Sequence, residues 1–202
     1  TGDVTIGSGT AADRKILFDG NAQDYHIGLD DSSDSLIIGK GSALGTTSHI
    51  VTDANGIVTM PLQPALIAHS NANNTQSFSS ADSYEIVQFN VETIDKNSDY
   101  ASSQTFTAPV DGTYYANANI MRAATSSGSI TYDLAIYVNS SLTLYSRNHG
   151  DNSSSNTITQ NVTGLVDLDA SDTLQVYARV SDTKGTRYAS QTTTYFHVFL
   201  VA

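Results

Sequence analysis

The chain has no cysteine, no tryptophan and only 3 prolines in 202 residues. Without Cys, disulfide stapling and zinc–thiolate sites are excluded, so β-ladders and assembly must hold the protein together. Basic residues are scarce: 9 Lys and Arg face 20 Asp and Glu, a formal net charge of -11. Duplex nucleic acid is excluded as a partner, because phosphate neutralisation needs clustered cations. The excess negative charge serves solubility through self-repulsion. No apolar run approaches the length that crosses a bilayer, so membrane insertion is not expected. A sustained helical period is also missing, which makes the chain all-β. Catalytic signatures are equally sparse. There is no Gly-x-Ser-x-Gly elbow and no His-Glu-x-x-His, and no pair of carboxylates stands out from the abundant Ser and Asp. The expectation is a non-enzyme without a cofactor.

What is present is strand and turn. Apolar residues make up 39%, enough for a thin core, and 11 of the aromatic residues are Tyr, which packs a ring and keeps a polar tip. The most informative stretch is Phe106 to Ala118. Thr105-Phe106-Thr107 suits a strand, Pro109 stops the ladder, and Asp111-Gly112 supplies turn chemistry. From Thr113 the strand pattern resumes, with Tyr114, Ala116, Ala118 and Ile120 on one face. Further strands are predicted near Thr113–Arg122, Ser129–Val138, Ile158–Leu168, Thr173–Val180 and Thr193–Val201. Tyr84 to Glu92 reads as one strand or two broken ones. Ser70–Ser83, Asp95–Ser103 and Tyr145–Thr157 read as polar loops. Regularly spaced strands with polar turns suggest a sandwich or jelly roll.

Several of these residues carry a resemblance. Phe106-Thr107-Ala108-Pro109-Val110-Asp111-Gly112-Thr113-Tyr114 is similar to the signature of the complement-one-q globular head, a trimeric jelly roll related to the tumour necrosis factor fold. The likeness continues in order. Leu134 to Asn139 resembles the strand that ends in Asn-Gly, with Ser140 for the Gly. Val166 to Leu174 resembles a later strand-and-turn, with Ser171 for a Gly. Phe196 to Leu200 resembles the closing Phe-x-Gly-Phe-Leu, with Val198 for the Gly. Pro64 to Ala68 resembles the opening strand. The resemblance implies a ten-stranded-type jelly-roll head over residues 63–202 and a homotrimer.

Residues 1–62 have a different texture. Val4-Thr5-Ile6-Gly7, Tyr25-His26-Ile27-Gly28 and Leu36-Ile37-Ile38-Gly39 are short apolar pieces ending in Ile-Gly, separated by turn formers. Lys15–Gly20 and His49–Asp53 add two more strand-plus-turn units, and Asn55-Gly56 is a hairpin signal. Strands this short cannot close a core of their own. The segment resembles the β-rich shafts of bacteriophage fibres, in which three chains wrap one axis. The boundary falls within Met60 to Pro64, where Pro61 and Pro64 stiffen the connector.

Strand parity places the loops near Tyr145–Thr157 and Ser181–Thr192 at one end of the head, together with the corner at Ala108–Gly112. These two loops are the predicted receptor-binding tip. They hold Arg147, Lys184 and Arg187 against Asp151 and Asp182, with Asn148, His149, Asn152 and Tyr188. Forked cations, planar amides and a stacking ring suit hydroxylated or anionic ligands; equally polar loops are common on surfaces that bind nothing. Asp30, Asp31 and Asp34 gather three carboxylates as a calcium site does, without the later Glu and the Gly of a helical-hand loop. They read as a turn, and no metal is expected.

The composite expectation is a homotrimeric viral fibre protein, bacteriophage by the character of its shaft. The head would contact a host surface glycan or protein, and the shaft would join other virion proteins at the virion surface. The alternative is a secreted recognition module, lectin-like or complement-like. The stalk separates the two, because it has neither the Gly-x-y period of collagen nor the heptads of a coiled coil.

Overall fold

The computed structural model describes residues 2–71, 76–77, 79–123, 128–152, 157–181, 186–188 and 193–202. All of its regular elements are strands, and the chain divides into two compact units, Thr1–Gln63 and Pro64–Ala202.

The N-terminal unit is one antiparallel sheet in sequence order, built from β1 (Arg14–Phe18), β2 (Tyr25–Asp30), β3 (Ser35–Lys40), β4 (Ser48–Thr52) and β5 (Val58–Thr59). The Ile-Gly pieces explain its two faces. Alternation turns Gly28 and Gly39 to the buried side with His26 and Ile37, and leaves Ile27 and Ile38 on the open side. Gly39 is needed there, since a Cβ would stand 2.6 Å from His26 Nε2 and from the Thr47 carbonyl oxygen. Val4–Gly7, expected as a strand, is not one. The Asn55-Gly56 turn joins β4 to β5, with Gly56 at φ +80 and the Asp53 amide donating to the Ile57 carbonyl at 3.0 Å.

The C-terminal unit is a sandwich of two six-stranded antiparallel sheets. One sheet holds β13 (Ser141–Asn152), β12 (Gly128–Val138), β15 (Thr173–Val180), β10 (Thr105–Thr107) and β9 (Tyr100–Ala101) in that order, with β7 (Glu85–Ile86) also on β15. The other holds β14 (Thr157–Leu168), β11 (Gly112–Ala123), β17 (Tyr195–Leu200), β6 (Ala65–His69) and β8 (Val91–Asp95), with β16 (Thr186–Tyr188) on β11. This is the jelly-roll sandwich that the sequence predicts. The core is one cluster between the sheets, with Phe106, Leu134, Ile136, Leu174 and Val176 from the first and Leu66, Tyr114, Ile120, Phe196 and Val198 from the second. At roughly 25 cal/mol per Å² of apolar surface removed from water, each such large side chain stabilises by about 1.5–3 kcal/mol.

Three expectations are corrected. Tyr145–Asn152, read as loop, is strand, paired in register with Gly128–Ala135. As the edge of its sheet it buries little, so its sequence never acquired an apolar period. That uncounted strand also inverts the parity of everything before it. The Ala108–Gly112 corner therefore lies at the end opposite the Ser181–Thr192 connection. There the Thr113 amide donates to the Ala202 carbonyl at 2.8 Å and the Leu200 amide to that of Pro64 at 3.1 Å. Within the corner, the Tyr114 hydroxyl donates to the Val110 carbonyl at 2.8 Å. Part of the expected Asp95–Ser103 loop is likewise strand β9.

Candidate functional site

The outward face of β12, β13 and β15 carries a charged cluster built by cross-strand register. Asp133 on β12 stands directly opposite Arg147 on β13 and Arg179 on β15. Arg147 Nε donates to Asp133 Oδ1 at 2.7 Å and its Nη2 to Oδ2 at 2.9 Å. Arg179 Nη1 donates to Asp133 Oδ2 at 2.9 Å, and its Nη2 to Asp82 Oδ1 at 2.7 Å. The Tyr84 hydroxyl adds a fourth donor to Asp133 at 3.1 Å. Rings close over the group: Tyr84 lies edge-on to Tyr137, and Tyr137 lies 4.4 Å from Tyr177. The Asp133 side chain is fully buried in consequence, while that of Arg147 is 51% exposed.

The electrostatics follow from this geometry. Burial alone pushes the Asp133 carboxyl up. Hydrogen bonds from Arg147 and Tyr84, with the charges of Arg147 and Arg179, outweigh it and leave the group below the usual carboxylate range. Burial and the Asp133 charge push the Tyr84 hydroxyl up to about 12, so it stays a donor. The hydrogen bond from Arg147 to Asp133, reinforced by their charges, raises the Arg147 guanidinium above its ordinary value.

The predicted tip residues fall in two places. Arg147, Asn148, His149 and Asn152 lie on strand β13 and not in a loop. Arg147 is committed to Asp133. His149 is held by two hydroxyls, Ser129 Oγ at Nε2 and Thr131 Oγ1 at Nδ1, both at 2.9 Å. Tyr145 is 54% exposed, and its ring centre lies 5.8 Å from the Arg147 guanidinium carbon. Tyr145, Arg147 and His149 thus form a stripe along the outward side of an edge strand. Arg187 and Tyr188 lie on β16 in the other sheet, opposite Arg122 and Met121 of β11. Lys184 lies outside the described residues. Asp133, Tyr84 and Arg179 were not singled out in the sequence, since nothing local marks an Asp as the partner of two arginines 14 and 46 residues away.

The metal candidates are otherwise engaged. Asp30 Oδ1 accepts from the Ser32 hydroxyl at 2.6 Å and the Ser32 amide at 3.0 Å, the first of which leads in lowering its pKa. The Asp31 amide is bound by Asp13 Oδ1 at 3.0 Å, and Asp34 turns the chain at φ 52. Among the described residues no group of three or more His, Asp or Glu could hold a metal ion.

The outward face of the other sheet is different in kind. Cross-strand register sets Leu165, Tyr115, Phe199 and Ala65 in one row and Thr163, Asn117, His197, Ile67 and Ile94 in the next. Tyr115 stacks on Phe199 at 6.1 Å and 12°, Tyr195 on His197 at 4.5 Å, and Leu165 is 60% exposed.

Comparison with known proteins places this architecture. No curated protein matches the chain. Among solved structures, the globular domain of the zebrafish complement 1qA protein is 18% identical, with TM-score 0.49 over 69% of this chain and 98% of that one. The Eiger TNF of S. frugiperda is 10% identical, with TM-score 0.51 over 69% of this chain and 93% of that one, a likeness of fold. The profile described as C1q domain matches residues 70–201, nearly all of the C-terminal sandwich, and the chain therefore belongs to the C1q domain family.

Proposed function

We propose that the protein is a homotrimeric structural and adhesive fibre of a virus, a bacteriophage by the character of its stalk. Its C1q-type head would contact a glycan or protein of the host surface, and its N-terminal unit would join other virion proteins. The observation that carries the assembly is apolar surface left open in both units. In the N-terminal sheet, Ile16, Ile27, Ile38 and Ile50 stand side by side across four strands. The flanking Leu29 and Leu36 are 45% and 50% exposed. Monomeric proteins rarely leave such a contiguous face in water. Three copies around an axis would cover it, and would also cover the Leu165–Tyr115–Phe199 row of the head.

For recognition, the reading rests on Tyr145, Arg147 and His149 along β13, with Asn148, Asn152, Lys184, Arg187 and Tyr188 as further contacts. A solvated ion pair there contributes only about 0.2–1 kcal/mol, so attachment would depend on the avidity of three heads and weaken with salt. A glycan array with Tyr145→Ala and Arg187→Ala together tests this. Loss of binding at unchanged trimer mass supports the surface; binding equal to the parent removes it.

Membership of the C1q domain family favours a second reading, a secreted recognition module without a virion. Mass spectrometry of purified particles from the source organism separates the two, since a fibre protein must be found in them.

A further inference from the structure

Among the described residues, the charged side chain of Arg122 points between the sheets. Arg122 is the penultimate residue of β11, opposite Ile158 of β14 and Arg187 of β16. Strand alternation sets it on the inward face with Tyr114, Ala116, Ala118 and Ile120, all buried in the core. Arg122 is itself 1% exposed. Among the described residues its Nε, Nη1 and Nη2 have no hydrogen-bond partner. The guanidinium lies over the Tyr132 ring, which supplies a face of negative potential and no acceptor in the guanidinium plane. Both arginines that face Asp133 have their carboxylate, and this one has none among the described residues. Burial lowers the Arg122 pKa to about 9, so the group is still a cation at neutral pH. A buried charge without a counter-charge is the arrangement proteins avoid.

A second unpartnered atom belongs to the next row of the same face. Gln160 of β14 pairs with Ile120, one row from Arg122 on the same inward face, and is 4% exposed. Its Nε2 donates to the carbonyls of Tyr132 at 3.2 Å and Ser146 at 2.6 Å. Two carbonyl partners fix which end of the amide is nitrogen. Oε1 is thereby turned away from both, and it is buried with no partner among the described residues. The end of the core thus offers a fork of guanidinium donors and one amide acceptor. Water could answer the acceptor but would leave the charge. Chloride could answer the charge but not the acceptor. An oxyanion that keeps a proton answers both, its oxygens accepting from Arg122 and its O–H donating to Gln160. Phosphate retains a proton near neutral pH, whereas sulfate does not.

We propose that Arg122 and Gln160 form a buried site for a protonated oxyanion of the phosphate class, at the end of the sandwich where β11 terminates. The proposal is independent of trimer formation and of the β13 stripe. An anion that binds only the native state raises the melting temperature by mass action, so thermal unfolding of the full chain reads it directly. Sodium phosphate is titrated near neutral pH at constant ionic strength, with sulfate and chloride in parallel. The expected result is a saturable rise with phosphate, a smaller one with sulfate, and no phosphate-specific rise in Arg122→Met. In the absence of phosphate, Arg122→Met should melt no lower than the parent, because an apolar chain replaces an unpaired buried charge. Should that variant fail to fold, Arg122→Lys keeps the charge and loses the fork, and its phosphate midpoint should move to higher concentration. Equal rises with phosphate and sulfate overturn the proposal. So does no rise in the parent, a phosphate rise retained in Arg122→Met, or an unshifted midpoint in Arg122→Lys.

Discussion

Asp133 and Arg147 face one another across the β12–β13 pair, and the fully buried carboxylate takes both Nε and Nη2 of the half-exposed guanidinium, at 2.7 and 2.9 Å. The pair changes the meaning of Arg147. A residue that reads in the sequence as a surface cation free for a ligand is also the counter-charge of a buried acid. Its substitution therefore disturbs stability as well as any binding, and Tyr145 is the cleaner probe of the same stripe.

Replacing the acid tests the pair. Asp133→Asn keeps the shape and leaves Arg147 and Arg179 without their carboxylate. Breaking a buried pair in this way costs about 3 kcal/mol, which denaturant unfolding near neutral pH should read. The pH dependence has a definite sign. The Asp133 pKa is depressed below 3.8 in the folded chain, so its contribution is complete above that value and is lost as pH falls through the folded pKa. The gap between parent and Asp133→Asn should accordingly narrow in acid below about pH 4. A gap that is absent at neutral pH would show the cluster to be ornamental.

Two serines invite the opposite test. Asn139 and Ser140 join β12 to β13 with φ of 48 and 66, and Ser171 sits at φ 79 in the turn before β15. These left-handed conformations are strained for a residue with a Cβ, and a two-residue hairpin of this kind favours Asn-Gly. Ser140→Gly and Ser171→Gly relieve the strain and add unfolded-chain entropy. Each should stabilise by about 0.5 kcal/mol net. A lower melting temperature for either would mean that the serine hydroxyl contributes more than the strain.

The same two serines show how much of the fold was legible. They mark turns that the family resemblance placed, each serine standing where the resembled pattern has Gly. The Phe106–Tyr114 corner and the inward alternation of β11 could be read locally, from turn chemistry and a period of two. The β13 strand could not. After the alternating Leu142 and Leu144, Ser-Arg-Asn-His-Gly-Asp-Asn carries no apolar residue, since this part of an edge strand is held by its ladder to β12 and not by burial. Missing one strand reversed the parity of the corner, an error that no local pattern could reveal. The candidate site suffered similarly. Arg147 was visible as a residue type, but its partner Asp133 and the covering Tyr84 come together only through register and a segment 49 residues away.

A second pH effect should appear in a milder range. His197 on β17 lies against Tyr195 and Phe199, with His69 of β6 near it. Burial first, and the neighbouring His69 second, lower its pKa below the ordinary 6.5. The unfolded chain then takes up this proton before the folded one. Stability is complete above about 6.5 and falls as pH drops below it. The melting temperature should decline between about pH 7 and pH 5, and His197→Gln should flatten that decline. An identical slope in the variant would assign the effect to other groups.

The assembly face yields the most decisive test. Leu165, Tyr115 and Phe199 lie in one cross-strand row on the outward side of their sheet, while Val166, Tyr114 and Val198 occupy the core side. A change in the outward row therefore leaves the core intact. An arginine introduced there is harmless in a monomer, where it reaches water. In a closed trimer it would be buried without a partner, at roughly 3–5 kcal/mol per site, repeated at each of three symmetric contacts. Leu165→Arg combined with Phe199→Arg should move the sedimenting species from three copies of the chain to one of 21.4 kDa. The far-ultraviolet spectrum should stay that of a β protein, and the melting temperature should fall and lose its dependence on concentration. A trimer that survives both arginines would show that this face is not where the chains meet. A parent that already sediments as a single chain would remove the trimer itself.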